Sequence, residues 1–250
     1  MRLQNKVIVI TGAAGIIGSS TARAFVEQGA RVVLVDSNKE KLQQVAADLN
    51  PASIDCLVAD VANAQDMAQV IETAEKRFGQ IDVFFANAGI EGSTAYNISD
   101  QSDEVFDRVM EVNVRGVFLG VKAAIPRMKD GGSVIITSSV MGLAGAPFNV
   151  AYTTSKHAVV GIRRSCAMLG GPRQIRVNTI HPGYVDSEML DRLINQHPDP
   201  DGRRKILEAK SLFKRLTQPA EVVNAALFLA SDESSGITNQ GLVVDCGTLD

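Results

Sequence analysis

A tyrosine, a lysine and a serine form the clearest chemical pattern in this chain of 250 residues. Tyr152 and Lys156 stand in the stretch NVAYTTSKHAVVGIRRSCAML, and Ser139 follows an earlier apolar run. In a helix, residues at i and i+4 lie on one face, roughly 6 Å apart at their Cβ atoms. A lysine charge at that range supplies about 3 kcal/mol, and moving a tyrosine pKa from about 10 to about 7 requires roughly 4 kcal/mol. The pattern predicts a tyrosinate that removes the proton of an alcohol, with Ser139 bonding the same oxygen.

A glycine-rich turn supports a catalytic interpretation of the Tyr152/Lys156 pair. The i, i+4 spacing alone would also fit a solvated helix face. The stretch TGAAGIIG follows the apolar run KVIVI and contains Gly12, Gly15 and Gly18. Such a turn between a strand and a helix brings backbone amides against a pyrophosphate. A second apolar run ends in Asp36, roughly 20 residues further on, where an acid bonds ribose hydroxyls and repels a 2′-phosphate. The motif predicts a site for NAD rather than NADP, and the alternative for Asp36 is a helix N-cap.

Short runs rich in Val and Ile alternate along the chain with amphipathic stretches of helical length. Because these runs are continuously apolar, they predict strands that are buried on both faces of a parallel sheet. The runs occupy 7–10, 31–36, 54–60, 81–89, 132–139, 175–183 and 241–245. The alternation predicts an α/β protein with a single domain over 1–250, a Rossmann-type doubly wound sheet of about seven strands with helices on both faces.

The segment 186–217 differs from the rest, since it contains HPDPDGRRK between helical patterns at 189–194 and 206–214. We interpret it as a substrate lid, because it follows the carboxyl end of a strand, and a tolerated surface insertion is the alternative. The loops around the predicted centre carry large apolar side chains. They predict a pocket for a small, largely apolar or cyclic substrate, lined by Met141, Phe148, Tyr184 and Met189 together with Ser139 and Tyr152.

Net charge and composition narrow the classes of molecule that the protein is expected to bind. The net charge of −3 and the pI of about 5.7 do not favour a nucleic-acid partner. Three scattered cysteines favour a reducing compartment, and we expect a cytoplasmic protein. No apolar run approaches the roughly 18 residues that span a bilayer, so we expect no membrane partner. The three histidines share no metal-ligand spacing, and we predict no metal site.

Taken together, these motifs resemble the short-chain dehydrogenase/reductase family over nearly the whole chain. The resemblance rests on TGAAGIIG, the Asn-Ala-Gly segment at 87–89, Asn113 in VNVRG, the Tyr-x-x-x-Lys pair with its serine, and Pro182-Gly183. It implies an oxidoreductase in which Tyr152 is the general base, Lys156 lowers its pKa and holds the nicotinamide ribose, and Ser139 orients the substrate. It also implies that Asn113 supports a proton relay.

The resemblance further implies a set of cofactor contacts and a homotetramer. The implied contacts are Gly12, Gly15, Ile17, Gly18, Asp36, Asp60, Val61, Asn87, Ala88, Gly89, Tyr152, Lys156, Pro182, Gly183, Val185 and Ser187. Within it we expect an NAD-dependent enzyme that interconverts a secondary alcohol and a ketone. The alternatives are a 3-oxoacyl thioester reductase, a non-catalytic NAD-binding regulator, and an epimerase or dehydratase that uses a bound nicotinamide.

Three positions depart from the family pattern. Ile16 stands where glycine or alanine is usual, and we expect a locally altered turn. Ala86 replaces an asparagine, which removes a structural hydrogen bond. Cys246, in the stretch DCG, replaces one of a pair of glycines.

Overall fold

A parallel sheet forms the centre of the protein, in a computed structural model that describes residues 1–93, 95 and 97–249. The strands are β1 (Val7–Thr11), β2 (Arg31–Asp36), β3 (Ile54–Val58), β4 (Ile81–Ala86), β5 (Met128–Thr137), β6 (Arg176–Pro182) and β7 (Gly241–Val244). Their order across the sheet is β3-β2-β1-β4-β5-β6-β7, and every pairing is parallel. The predicted doubly wound sheet is therefore confirmed, and its strand order reverses between β1 and β4.

Helices cover both faces of the sheet. They are α1 (Ile16–Glu27), α2 (Lys39–Ala47), α3 (Ala64–Phe78), α4 (Asp103–Met110), α5 (Gly116–Ala124), α6 (Val150–Gly170), α7 (Glu188–Ile194), α8 (Pro200–Lys210) and α9 (Pro219–Ala230). Phe84 and Phe85, adjacent in β4, are fully buried in different cores, because successive strand side chains point to opposite faces. Within the described part of the chain, no helix combines the length and the apolar character needed to cross a membrane.

Several predicted strands end earlier than expected, and the residues beyond them form the loops of one sheet edge. The run 81–89 is strand only to Ala86, and 132–139 only to Thr137. In a parallel sheet these carboxyl ends lie at one edge, so the residues that follow them gather there. This edge receives Asn87 and Ser139, two of the predicted site residues.

The prediction of a helix over 206–214 is wrong in its bounds, since α8 begins at Pro200 and ends at Lys210. Asp199 caps the helix by accepting from the Gly202 N–H at 2.9 Å. Proline at the first helical position costs no hydrogen bond and has the φ that the helix needs. The sequence HPDPDG, which suggested irregular structure, is therefore a helix start.

The glycine turn explains why Ile16 is tolerated. Gly12 has φ +66°, and a Cβ there would lie 2.7 Å from Ala88 Cα. Gly18 packs so closely that a Cβ would lie 2.2 Å from the Gly12 carbonyl oxygen. Ile16 is the first residue of α1, and its side chain is 46% exposed. A helical residue that points toward solvent does not need to be glycine, and the locally altered turn stays a prediction.

The DCG stretch is stabilised by the side chain of Asp245. Cys246 has φ 56°, a left-handed conformation that suits glycine. The Asp245 carboxylate accepts from the backbone N–H groups of Gly247, Thr248 and Leu249 at 2.9, 3.0 and 2.8 Å. These bonds stabilise a turn that a second glycine, in place of Cys246, would adopt with less strain.

The close packing of Gly18 generates a test with a matched control. Gly18→Ala should lower the free energy of unfolding by about 1–3 kcal/mol, because the new methyl group meets backbone atoms that cannot move aside. Gly15→Ala should cost about 1 kcal/mol or less, since the nearest atom to its Cβ is 3.5 Å away. Urea unfolding followed by circular dichroism measures both, and equal losses would contradict the packing argument.

Candidate active site

The carboxyl edge of the sheet brings the predicted Ser139, Tyr152 and Lys156 together. Tyr152 and Lys156 lie in the first two turns of α6, and the Lys156 Nζ is 5.3 Å from the centroid of the Tyr152 ring. The Ser139 side chain is near enough to influence the pKa of Tyr152, and its Oγ accepts from the Met141 N–H at 3.1 Å. The fold thus brings a hydroxyl, a phenol and an ammonium group together.

Burial sets the protonation of this cluster in the chain alone. It raises the pKa of Tyr152 to about 12, and the negative charge of Glu91 raises it further while the Ser139 hydrogen bond opposes the rise. Burial also lowers the pKa of Lys156 to about 8. Desolvation is the largest influence on the pKa of Tyr152 in the chain by itself, and the lowering of that pKa by Lys156 stays a prediction.

Two hydrogen bonds hold Lys156 at the end of β5. Its Nζ donates to the Thr137 carbonyl oxygen at 2.9 Å, and its own carbonyl accepts from the Ser138 hydroxyl at 2.9 Å. Asn149 caps α6 by accepting from the Tyr152 N–H at 3.1 Å. These bonds fix the helix start, and with it the spacing of phenol and ammonium.

Asn113 lies in a π-helical turn, Glu111–Arg115, that joins α4 to α5. Such an inserted turn rotates the side chains that follow it and is frequent at functional sites. The buried Asn113 side chain accepts from the Ile90 N–H at 2.8 Å and donates to the Ile90 carbonyl at 2.9 Å and the Ser155 hydroxyl at 3.0 Å. It therefore fixes the loop after β4, and its part in a proton relay stays a prediction.

The turn after β1 and the loop after β4 form a surface that fits a dinucleotide. The N-terminus of α1 has no side-chain cap and no acid in its first turn, so its free amides can face an anion. A Cβ at Gly89 would lie 3.3 Å from Asn113 Oδ1 and 3.4 Å from Lys156 Nζ. The backbone at this position therefore packs directly beside Lys156, with little room for a side chain.

Asn87 connects three strands at this edge. Its Nδ2 donates to the carbonyls of Thr11 and Gly12 at 3.2 and 3.3 Å, and its Oδ1 accepts from the Thr137 hydroxyl at 3.0 Å. The Thr11 hydroxyl oxygen also accepts from the Ala88 N–H at 3.2 Å. Asn87 thus supplies side-chain bonds beside the buried Ala86, where the family asparagine is missing.

Asp36 stands at the end of β2 and faces the glycine turn. Its Oδ2 accepts from the Ala14 N–H at 3.0 Å, and its Oδ1 accepts from the Asn38 N–H at 2.9 Å. The alternative that Asp36 caps α2 is wrong, because Asn38 accepts from the Lys41 N–H and forms that cap. The carboxylate is left at the turn, where an adenosine ribose would lie.

The remaining predicted cofactor residues lie along the same edge. Asp60 Oδ1 accepts from the Ala62 N–H at 2.9 Å, and Val61 beside it is buried. Ser187 caps α7 by accepting from the Leu190 N–H at 3.3 Å, so its hydroxyl already has a structural role. The others occupy α1, the end of β6 and the loop after it: Ile17, Pro182, Gly183 and Val185.

A small cavity of about 70 Å³, partly open to solvent, lies between the loop before α6 and the α7–α8 segment. Its walls include Phe148, Tyr184, Leu190, Ile194 and Leu207, with Arg203 among them. Of the four predicted apolar residues, Phe148 and Tyr184 line this cavity, and Met141 and Met189 do not. The segment also has a small core of its own, in which Leu190, Ile194, Leu207 and Leu216 pack with Tyr184.

His181 holds the backbone of Ser139 in place through a hydrogen bond. Its Nδ1 donates to the Ser139 carbonyl at 2.9 Å, and its Nε2 accepts from the Thr179 hydroxyl at 2.7 Å. Arg163 in turn donates to Thr179 Oγ1 at 3.1 Å. Burial lowers the pKa of His181, which matches a neutral ring in this chain of bonds. His181 thus has a structural role with a specific target, the Ser139 backbone, which the sequence did not indicate.

Glu91 and Arg203 are further residues near the site that the sequence analysis missed. Glu91 directly follows the Asn-Ala-Gly segment and Ile90, and its position there was the available signal. Its carboxylate pairs with Arg192 of α7 at 2.7 Å. Among the described residues, no group of three acidic, histidine or cysteine side chains is arranged to hold a metal ion.

Comparisons with known proteins agree with this geometry. A family model described as enoyl-(acyl carrier protein) reductase matches residues 12–248. The chain is 35% identical to a 3-oxoacyl-[acyl-carrier-protein] reductase of Thermotoga maritima, over 99% of each chain. It is 36% identical to a cyclopentanol dehydrogenase of Comamonas testosteroni, over 98% of each. A solved structure of NAD+-bound xylitol dehydrogenase superposes with a TM-score of 0.94 at 30% identity, over 99% of this chain and 100% of the other.

Because its pKa is raised, Tyr152 should keep its proton, and give no tyrosinate absorbance, in the protein without ligand. The ultraviolet absorbance of tyrosinate in the parent protein and in Tyr152→Phe should agree up to pH about 10, since the pKa of Tyr152 is about 12. A difference spectrum recorded during alkaline titration measures this, with circular dichroism as the control for folding. A tyrosinate signal that depends on Tyr152 near neutral pH would contradict the assignment.

Proposed function

Because the chain belongs to the short-chain dehydrogenase/reductase family, a family of oxidoreductases, we propose that it uses NAD to interconvert a secondary alcohol and a ketone. The observation that carries the proposal is the cluster of Ser139, Tyr152 and Lys156 at the carboxyl edge of the sheet. The free amides of α1 and the carboxylate of Asp36 support a dinucleotide beside it.

When bound, the nicotinamide accepts the hydride from the alcohol carbon or returns it to the ketone. The Ser139 hydroxyl bonds the substrate oxygen and orients it. Tyr152 takes the hydroxyl proton in oxidation and donates a proton to the ketone oxygen in reduction. Lys156, with a pKa of about 8, is mostly protonated at neutral pH. Its charge favours the phenolate by about 3 kcal/mol at the distance between the two groups.

We propose that the substrate is small and largely apolar or cyclic, and that the α7–α8 segment covers it. The apolar walls of the cavity support this, and the relative from Comamonas testosteroni is named for cyclopentanol. The alternative of a 3-oxoacyl thioester reductase is supported by the relative from Thermotoga maritima. Turnover of acetoacetyl-coenzyme A with NADPH in preference to cyclic alcohols with NAD would favour that alternative. NAD binding without turnover of any alcohol would favour a regulator.

As part of the same proposal, the enzyme is a homotetramer in the cytoplasm. Large apolar side chains on α5 and α6 support assembly, since Phe118, Met168 and Leu169 are 49%, 79% and 73% exposed. The three cysteines are unpaired, which supports a reducing compartment.

Removal of the phenol tests the assigned base. Tyr152→Phe should lower kcat for a cyclic secondary alcohol by at least about 10³-fold, because general acid–base catalysis contributes that much. The Kd for NAD+, measured by calorimetry, should change little. His157→Gln, an exposed neighbour on the same helix, is the control and should retain the parent rate. A Tyr152→Phe variant with near-parent kcat would refute the mechanism.

The cofactor preference depends on Asp36. Asp36→Asn removes the charge that repels a 2′-phosphate and keeps an oxygen for the Ala14 N–H. We expect the ratio of kcat/KM for NAD+ to that for NADP+ to fall by about tenfold or more, a change on the scale of one charged contact. Glu40→Gln removes an exposed carboxylate from the first turn of α2 and should leave the ratio unchanged. A parent enzyme that prefers NADP+ would overturn this interpretation.

A further inference from the structure

Arg203 places a guanidinium group at the wall of the apolar cavity. It lies in the first turn of α8, is half-buried, and its Cζ is 5.4 Å from the centroid of the Phe148 ring. A guanidinium over an aromatic face gains a cation–π contact and keeps the N–H groups at its edge available. Tyr184 and Leu190 also line the same cavity.

The neighbouring arginines of this segment are paired with carboxylates, and Arg203 is not. Arg192 pairs with Glu91 at 2.7 Å, and Arg204 pairs with Asp186, with Asp191 at 3.1 Å and with Glu208 at 3.5 Å. Across the described ranges, no carboxylate comes within 4.0 Å of Arg203. A charge at an apolar wall without an anionic partner is unfavourable unless a ligand supplies one.

Two residues of the cavity wall lie close in the chain to residues of the catalytic edge. Phe148 precedes Asn149, the residue that caps α6 and bonds the Tyr152 N–H. Tyr184 follows Gly183 at the end of β6, the strand beside β5. Phe148 and Tyr184 therefore connect the segments that carry Tyr152 and the end of β6 to the cavity wall that holds Arg203.

We propose that the substrate is a hydroxy acid with an apolar body, and that its carboxylate binds Arg203 at the end remote from the reacting alcohol. This rests on the proposed alcohol–ketone function and specifies its substrate class. One guanidinium matches the single charge and the two oxygens of a carboxylate, whereas a phosphate dianion usually meets several cations. His197 also lines the cavity, and its Nδ1 lies 3.0 Å from the Asp199 carbonyl oxygen and 3.1 Å from the Asp199 N.

The test compares two forms of one probe. 4-Hydroxycyclohexanecarboxylate and its methyl ester are offered to the enzyme with NAD+, and the parent should prefer the acid. In Arg203→Gln, the ratio of kcat/KM for the acid to that for the ester should fall about ten- to hundredfold, the effect of one hydrogen bond to a charged group. Lys205→Gln removes an exposed charge two residues away on α8 and should leave the ratio unchanged.

A binding measurement separates this inference from the proposed function. Calorimetric titration of cyclohexanecarboxylate into the enzyme with NADH should give a Kd that rises about tenfold or more in Arg203→Gln and stays constant in Lys205→Gln. Binding of this kind would support Arg203 even if no alcohol were oxidised. Equal loss for acid and ester, a parent preference for the ester, or cyclohexanecarboxylate binding that is absent or unaffected by Arg203→Gln would each overturn the assignment. Preference for 4-hydroxycyclohexyl phosphate, in which a phosphate group replaces the carboxylate of the probe, would also contradict it.

Discussion

The desolvation of a phenol beside an ammonium group is the constraint on which this site depends. In the chain alone, burial raises the pKa of Tyr152 to about 12 and lowers that of Lys156 to about 8. Both changes favour the neutral forms, so the tyrosinate–ammonium pair is not the resting state. In the proposed mechanism, deprotonation of Tyr152 therefore requires further positive charge, which a bound nicotinamide would supply.

The rest of the carboxyl edge keeps this pair in place through buried hydrogen bonds. Asn87 joins the ends of β1, β4 and β5, and Asn113 fixes the loop after β4 from a helix on the covering layer. Behind Ser139, the buried His181 holds the backbone that carries the catalytic hydroxyl. Buried polar groups of this kind are costly when left unpaired, and the paired arrangement therefore selects one geometry. The same bonds that stabilise the edge also set the distances needed for chemistry.

The sequence predicted what depends on local pattern and missed what depends on tertiary surroundings. The strands could be predicted because continuous Val and Ile runs have few other uses, and the glycine turn because Gly12 requires a positive φ. The pKa of Tyr152 could not, since desolvation depends on every atom packed around the ring. The π-helical turn at Asn113 leaves no mark in the residue pattern. Asp199 and Pro200 do signal a helix start, but two prolines in six residues weighed against it.

The α7–α8 segment differs from the sheet in what holds it. Its own core has four buried side chains, and ion pairs with partly exposed partners supply much of the rest. Exposed pairs of this kind contribute about 0–1 kcal/mol each, far less than the burial of the strands. The segment is therefore held less strongly than the sheet. Arg192 and Glu91 form one contact between the two parts, and Lys41 and Glu188, at 3.1 Å, form another. Because Glu91 is also a charge that raises the pKa of Tyr152, its ion pair with Arg192 places a cation of this segment beside the anion that opposes deprotonation of the phenol.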